Sequence, residues 1–336
     1  LVGSEMCIRD RLILYAVLHV LIQLIVCLIY AVYCKKKFEE SNYHFIWNKK
    51  VSLSVLSFAG WTLTGNIAVM GYTQGLNILL NIFFGAIVNA ARGVSVQVQT
   101  AARMFFVGFQ TAINPQIYKS YAQKDFDRMH ALVFMSSRFS FFLMLVVTIP
   151  LCMHTQYILE LWLGDVPEYT AAFVRIMLIV GLINTLQNPT MTALHATGNI
   201  KKVQIVESSL LLSVVPVAYF CLKFLHILPV MVFVVYFIIE FVAQFVRVYM
   251  IYPMIKLRMK DYFIKVMWPI SVVTTLAVLV CWISSRVIVV SDFWMLLVAI
   301  AVYVLIIGVC VFFFGLQKIE RQYAIKLVHE KVMKIC

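Results

Sequence analysis

The chain is poor in charge. Of its 336 residues only 13% are Asp, Glu, Lys or Arg, and just 15 of these are acidic. A soluble domain carries about 25% charged residues, so a water-facing surface over most of the chain is excluded. Cysteine patterns are also missing. The eight cysteines form no CxxC pair, and most lie in apolar segments, where cysteine packs as a small hydrophobe. Neither disulfides nor a metal site is expected, and the seven histidines show no HxxxH spacing. There is no P-loop, no GxGxxG following a strand and no GxSxG elbow, so the common enzyme signatures are absent.

What the chain has is apolar length. Hydrophobic residues make up 63%. Charge-free runs extend over Leu12 to Cys34, Val51 to Ala91, Ile176 to Ile200 and Phe293 to Gln317. Each is long enough to cross about 30 Å of hydrocarbon as a helix. The runs are continuously apolar rather than alternating, which excludes a β-barrel. The expected fold is an all-α polytopic membrane protein with spans near 12–33, 53–82, 87–117, 131–153, 169–196, 203–224, 229–253, 264–285 and 292–315. Val51 to Ala91 is too long for one helix, and Gly85 and Asn89 mark the turn. Pro115, Pro150, Pro189, Pro216, Pro253 and Pro269 fall inside or at the ends of spans, where neighbours must satisfy the carbonyls they free.

The net charge of +13 is distributed by topology, which argues against a nucleic-acid partner. Nineteen of the 28 basic residues lie in the segments 34–50, 118–130, 197–202, 254–265 and 316–336. The alternate connections hold few, and 154–168 reads as an acidic loop. By the positive-inside rule the first set is cytoplasmic. The chain then starts outside and ends inside, in a basic amphipathic tail suited to the inner leaflet. The opening LVGSEMCIRD fits no signal peptide and resembles a translated sequencing adapter. Residues 1–11 are therefore set aside, with the expectation that the natural protein continues upstream.

The polar residues within the spans are ordered. At 100° per residue, Gln99, Arg103, Gln110 and Asn114 lie within about 40° of Arg92, and Asn89 within about 60°. Such a stripe cannot face lipid. It admits two readings: amides bonding across helices as glue, or a cavity in which two arginines with no nearby acid await an anion such as phosphate. On the preceding span Asn66, Gln74, Asn77 and Asn81 share a sector of about 80°, suited to sugar hydroxyls or again to glue. Gly71 and Gly75 form a GxxxG, a close-packing signal. Glu240, Gln244 and Arg247 share a face and suggest an internal ion pair. Glu207, Arg138 and Arg175 read as snorkelling near helix ends. Asn184, Gln187 and Asn188 precede Pro189 and read as supports of a kink.

The segments SFAGWTLTGNIA (57–68), NILLNIFFGAIVNAARGVSVQVQ (77–99), INPQIYKSYAQKD (113–125) and ATGNIK (196–201) resemble polysaccharide flippases. These are the O-antigen type of the multidrug/oligosaccharidyl-lipid/polysaccharide exporter (MATE-like) superfamily, close to those of Bacteroidetes lipopolysaccharide biosynthesis. The resemblance implies two pseudo-symmetric lobes, of which this chain would hold the C-terminal one. Residues 12–52 would be the last helix of the first lobe and the inter-lobe loop, 53–254 a six-helix lobe, 255–315 two added helices and 316–336 the tail. It implies no enzyme but a carrier in the bacterial inner membrane. The carrier moves an undecaprenyl-diphosphate-linked oligosaccharide to the periplasmic leaflet by alternating access. Substrate would meet Arg92, Arg103, Gln99, Gln110, Asn114, Asn77, Gln74 and Asn81. Partners would be that lipid-linked oligosaccharide, membrane lipids and other polysaccharide-assembly proteins. No cofactor is implied, and a coupling ion, H+ or Na+, stays open. Glu207 stands where the resemblance expects a small residue and receives no role from it. Two other readings remain: a drug or organic-cation antiporter, which wants cavity carboxylates, and a membrane polymerase or glycosyltransferase, which wants a large outer loop.

Overall fold

A computed structural model describes residues 2–38, 48–288, 290, 292–318, 320–322 and 325–326, with the backbone alone over 2–13. The loop 39–47, most of the tail and the side chains of residues 2–13 therefore lie outside the described residues. Among the described residues every regular element is helical: α1 Val2–Lys37, α2 Lys49–Ala122, α3 Phe126–Met153, α4 Thr155–Leu163, α5 Thr170–Thr197, α6 Lys201–Leu212, α7 Val214–Leu225, α8 Pro229–Ile251, α9 Met259–Tyr262, α10 Trp268–Val287 and α11 Phe293–Cys310. Single π-helical turns, Phe263–Met267 and Val311–Gly315, precede α10 and follow α11. Hydrocarbon offers the backbone no water, so apolar runs of this length are forced into helix.

Eight of these helical stretches are long and apolar enough to cross a membrane. The longest, α2, has 74 residues and would reach about 110 Å if straight. It is not straight. Gly85 adopts φ 79° and ψ −173°, a region that essentially only glycine enters, so α2 is two arms joined at Gly85. Counted as arms, the stretches match the nine spans expected. Arg92, seven residues after Gly85, donates from Nη2 to the Thr73 carbonyl, twelve residues before it, at 3.0 Å. One side chain can bridge those points only if the arms fold back on each other.

Prolines shape the other spans. Pro216 has no N–H to offer the Leu212 carbonyl four residues earlier, and α6 ends at Leu212, with Ser213 between it and α7. α8 stops at Ile251, two residues before Pro253, although Tyr252 between them keeps helical backbone angles. The segment read as an acidic loop, 154–168, instead contains α4. Thr155 and Leu159 are one turn apart and both buried, and that apolar edge draws the segment into helix.

By contacts the chain divides into residues 1–55, which contain α1, and residues 56–336. In the second unit α5 packs against both α3 and α8. α10 and α11 pack on α3, and α6 and α7 on α8. The first arm of α2 lies against α6 and α7 through its GxxxG: a Cβ on Gly75 would sit 2.6 Å from Val215 Cγ2, and one on Gly71 3.1 Å from Leu212 Cδ2.

The hinge makes a prediction. Gly85→Ala should destabilise the purified protein by about 1–3 kcal/mol, the cost of holding a side chain in that backbone region. Gly93→Ala, in the same helix with open space around it, should be neutral or stabilising. Thermal unfolding in detergent compares the two, and equal effects would show that Gly85 is not the strained position.

Candidate functional site

A cavity of about 400 Å³ lies inside the second unit, walled by both arms of α2, by α5, α6 and α8. It continues into a smaller one of about 130 Å³ through the shared residues Val69, Gln187, Met191, His195 and Leu211. Asn184 stands halfway along α5 and Glu240 halfway along α8, so the cavity sits at mid-span. The lining is polar for that depth: Tyr72, Arg103, Gln110, Asn184, Gln187, Asn188, His195 and Glu240.

The stripe on the second arm of α2 divides between this cavity and the protein interior. Arg103 is exposed into the cavity and forms no hydrogen bond or ion pair among the described residues. Gln110 is 2% exposed and donates to the Thr185 carbonyl at 3.0 Å. That carbonyl is the one Pro189, four residues later, leaves without its helical donor. Gln99 donates to the Met177 carbonyl at 2.8 Å, and Asn114 accepts from Thr192 at 3.2 Å. These amides fasten the second arm of α2 to α5. Arg92 is 4% exposed and committed to Thr73, with its Nε buried and unpartnered. On the first arm Asn77 donates to Gln74 at 2.9 Å and Asn81 is exposed. Of the eight expected site residues, the structure brings Arg103 and Gln110 to the cavity. Arg92, Gln99, Asn114, Gln74, Asn77 and Asn81 are not among its lining.

The interior behind the cavity holds an ionic cluster. Arg247 donates from Nη2 to Glu207 at 2.7 Å and from Nε at 3.2 Å, and lies 3.9 Å from Glu240. It also bonds Gln244. Gln187 donates to the same Glu207 oxygen at 2.9 Å. The ion pair expected at Glu240 exists, but its nearer acid is Glu207. Glu207 is 6% exposed, so it does not snorkel: Arg247 compensates its charge in place of water. Arg138 does not snorkel either, being 1% exposed. On the far wall Tyr72 and Tyr236 share a hydroxyl contact of 3.2 Å.

Asn184, Gln187, Asn188 and His195 line the cavity although the sequence reading used the amides only as kink supports. They recur at i, i+3, i+4 and i+11, the spacing of one helix face, and that spacing was the available signal.

Residues 62–220 match the MatE family model. The MatE match spans both arms of α2 past Thr62, together with α3 to α6 and most of α7, and so every wall of the cavity except α8. MatE members are membrane transporters of the multidrug/oligosaccharidyl-lipid/polysaccharide exporter superfamily, and the match supports a membrane-transporter role in general. Comparison with curated proteins and with solved structures returns no match.

Two substitution sets separate structural from solvent-facing groups. Gln110→Leu should cost about 1–3 kcal/mol by orphaning the Thr185 carbonyl. Adding Pro189→Ala should recover much of that, because the restored backbone N–H satisfies the carbonyl. Arg247→Ala should cost about 3–5 kcal/mol by leaving two buried carboxylates uncompensated. Arg103→Ala should stay within about 0.5 kcal/mol, as for an unbonded exposed side chain. Denaturation midpoints of the purified variants decide each case.

Proposed function

We propose that the chain is part of a carrier for an anionic, lipid-linked oligosaccharide, moved between leaflets by alternating access, with Arg103 holding a phosphate or acidic sugar. One observation carries this reading. Arg103 is exposed into a mid-span cavity and unbonded, whereas Arg92 and Arg247 are committed to Thr73 and Glu207. A guanidinium without a protein partner is open to an anion, and its planar fork fits phosphate oxygens. Asn184, Gln187 and Asn188 supply amide donors and acceptors at the same depth, suited to hydroxyl groups. Behind the wall Arg247 compensates Glu207 and lies near Glu240, which leaves the charge of Arg103 available to a ligand. Diffuse location at the midplane, between helices broken or kinked by proline and glycine, is the usual setting for such a site.

A second reading, an organic-cation antiporter, gains support from one observation: Glu240 lines the same cavity. Its carboxylate lies near Arg247, which offsets its charge and makes this the weaker reading.

Reconstituted protein, with known oligosaccharide-lipid flippases as positive controls, can be assayed for translocation of a fluorescent diphosphate-linked oligosaccharide at matched protein levels. Arg103→Ala should lower the rate about tenfold or more, the loss of one or two charge-assisted bonds. Arg103→Lys should restore it only in part. Unchanged lipid transport in Arg103→Ala, together with cation transport abolished by Glu240→Gln, would reverse the ranking.

A further inference from the structure

The end of the second unit where α3 begins and α8 ends holds another cavity, of about 500 Å³, which shares no lining residue with the mid-span one. One wall runs from Asp127 and Arg128 in the first turn of α3 to Arg138, eleven residues further and about 16 Å deeper along the helix. Arg138 forms the floor. Its Nη1 donates to the Lys265 carbonyl at 2.7 Å, the carbonyl that Pro269 leaves without a helical donor. Its Nε is buried and unpartnered. Its Nη2 meets the carboxylate of Glu320, whose other oxygen accepts from the Gln317 N–H at 2.8 Å. Glu320 comes from the segment that follows α11.

The charge around this cavity is unbalanced. Arg128, Arg138, Lys256, Arg258 and Lys265 line it against three acids. Asp261 is used by Arg258 at 3.2 Å, and Glu320 by Arg138. Lys256 and Lys265 stand over the rings of Phe126 and Phe134 at 4.8 and 5.7 Å. Those contacts hold the ammonium groups at the wall without neutralising them. Bracing the Pro269 kink requires one guanidinium nitrogen. It requires neither a cavity of this size nor an excess of two positive charges around it.

We propose that this cavity is a second anion site, one that takes a phosphate or diphosphate group, and that Glu320 is its built-in competitor. Arg138 is held by the Lys265 carbonyl with its second donor aimed at the cavity, and the Glu320 carboxylate occupies the position a phosphate oxygen would take. Arg128 and Lys265 meet the remaining oxygens. Binding displaces Glu320 and so releases the segment after α11 from α3. Two sources carry such a group at this place, a phospholipid head group between membrane helices or a soluble diphosphate. The inference does not depend on the transport reading, since it uses other residues.

The test is thermal unfolding of the full chain in uncharged detergent. One arm adds sodium pyrophosphate, and the other adds phosphatidylglycerol or, as control, phosphatidylcholine. A ligand that binds only the folded state raises the midpoint by mass action. The midpoint should rise in at least one arm, and the arm identifies the source. Arg128→Ala with Lys265→Ala should weaken the apparent Kd about tenfold or more. Both side chains are exposed, so the fold should tolerate their loss, and the Lys265 carbonyl is retained. Glu320→Gln should tighten the apparent Kd about tenfold, because it removes the competing charge. No rise in either arm, or a rise that the double alanine variant leaves unchanged, would overturn the site. A rise indifferent to Glu320→Gln would overturn the competitor role.

Discussion

A proline within a membrane helix removes one N–H, and the carbonyl four residues earlier is left in a medium with no water to replace it. Much of this structure follows from how those carbonyls are satisfied. Pro189 frees the Thr185 carbonyl, and Gln110 reaches across from α2 to take it. Pro269 frees the Lys265 carbonyl, and Arg138 takes it from α3. Pro216 is handled differently, because the helix simply breaks between α6 and α7. Each solution ties one helix to another at a fixed register. The tie at Thr185 sets the second arm of α2 against α5, and Gln99 and Asn114 fasten the same pair of helices above and below it. A cavity between these helices can then exist without collapse, because its walls are held by bonds that side-chain packing alone does not supply.

The buried arginines illustrate how differently one residue type is used. Arg92 ties the two arms of α2 together beyond the Gly85 hinge. Arg247 compensates Glu207 and Glu240, linking α6 to α8. A buried ion pair adds little net stability against an apolar replacement, yet removal of one partner is costly. The cluster therefore specifies how α6, α8 and, through Gln187, α5 meet. Arg103 has no such obligation, and that freedom sets it apart as a ligand group. The midspan cavity thus has a stiff polar frame on one side and an uncommitted cation on the other.

Helical periodicity carries an angle but not a partner. The stripe of Arg92, Gln99, Arg103, Gln110 and Asn114 was legible as one face, and a face excluded from lipid. What that face meets changes along its length: Thr73 of the preceding arm at Arg92, α5 at Gln99, open cavity at Arg103, and α5 again at Gln110 and Asn114. Its bonds to α5 join residues 75 and 78 positions apart, a distance no local pattern records. Glu207 and Arg138 misled for the same reason. Placement along a span suggested that each could reach water, whereas Glu207 is enclosed and paired with Arg247 of α8, and Arg138 is covered by Glu320 from the segment after α11. The amides before Pro189 were explained by the kink, which hid that their spacing also put them on one face.

The sequence by itself determined the long apolar helices, their approximate ends, the break at Gly85 and the close approach at Gly71 and Gly75. Hydrocarbon permits only internally bonded backbone, so apolar length converts directly into helix, and glycine marks where a side chain would not fit. Tertiary structure alone decided which polar groups are spent on one another and which remain free. That depends on the juxtaposition of α2, α5, α6 and α8, since burial turns each unpartnered charge or carbonyl into a demand that only a neighbouring helix can meet.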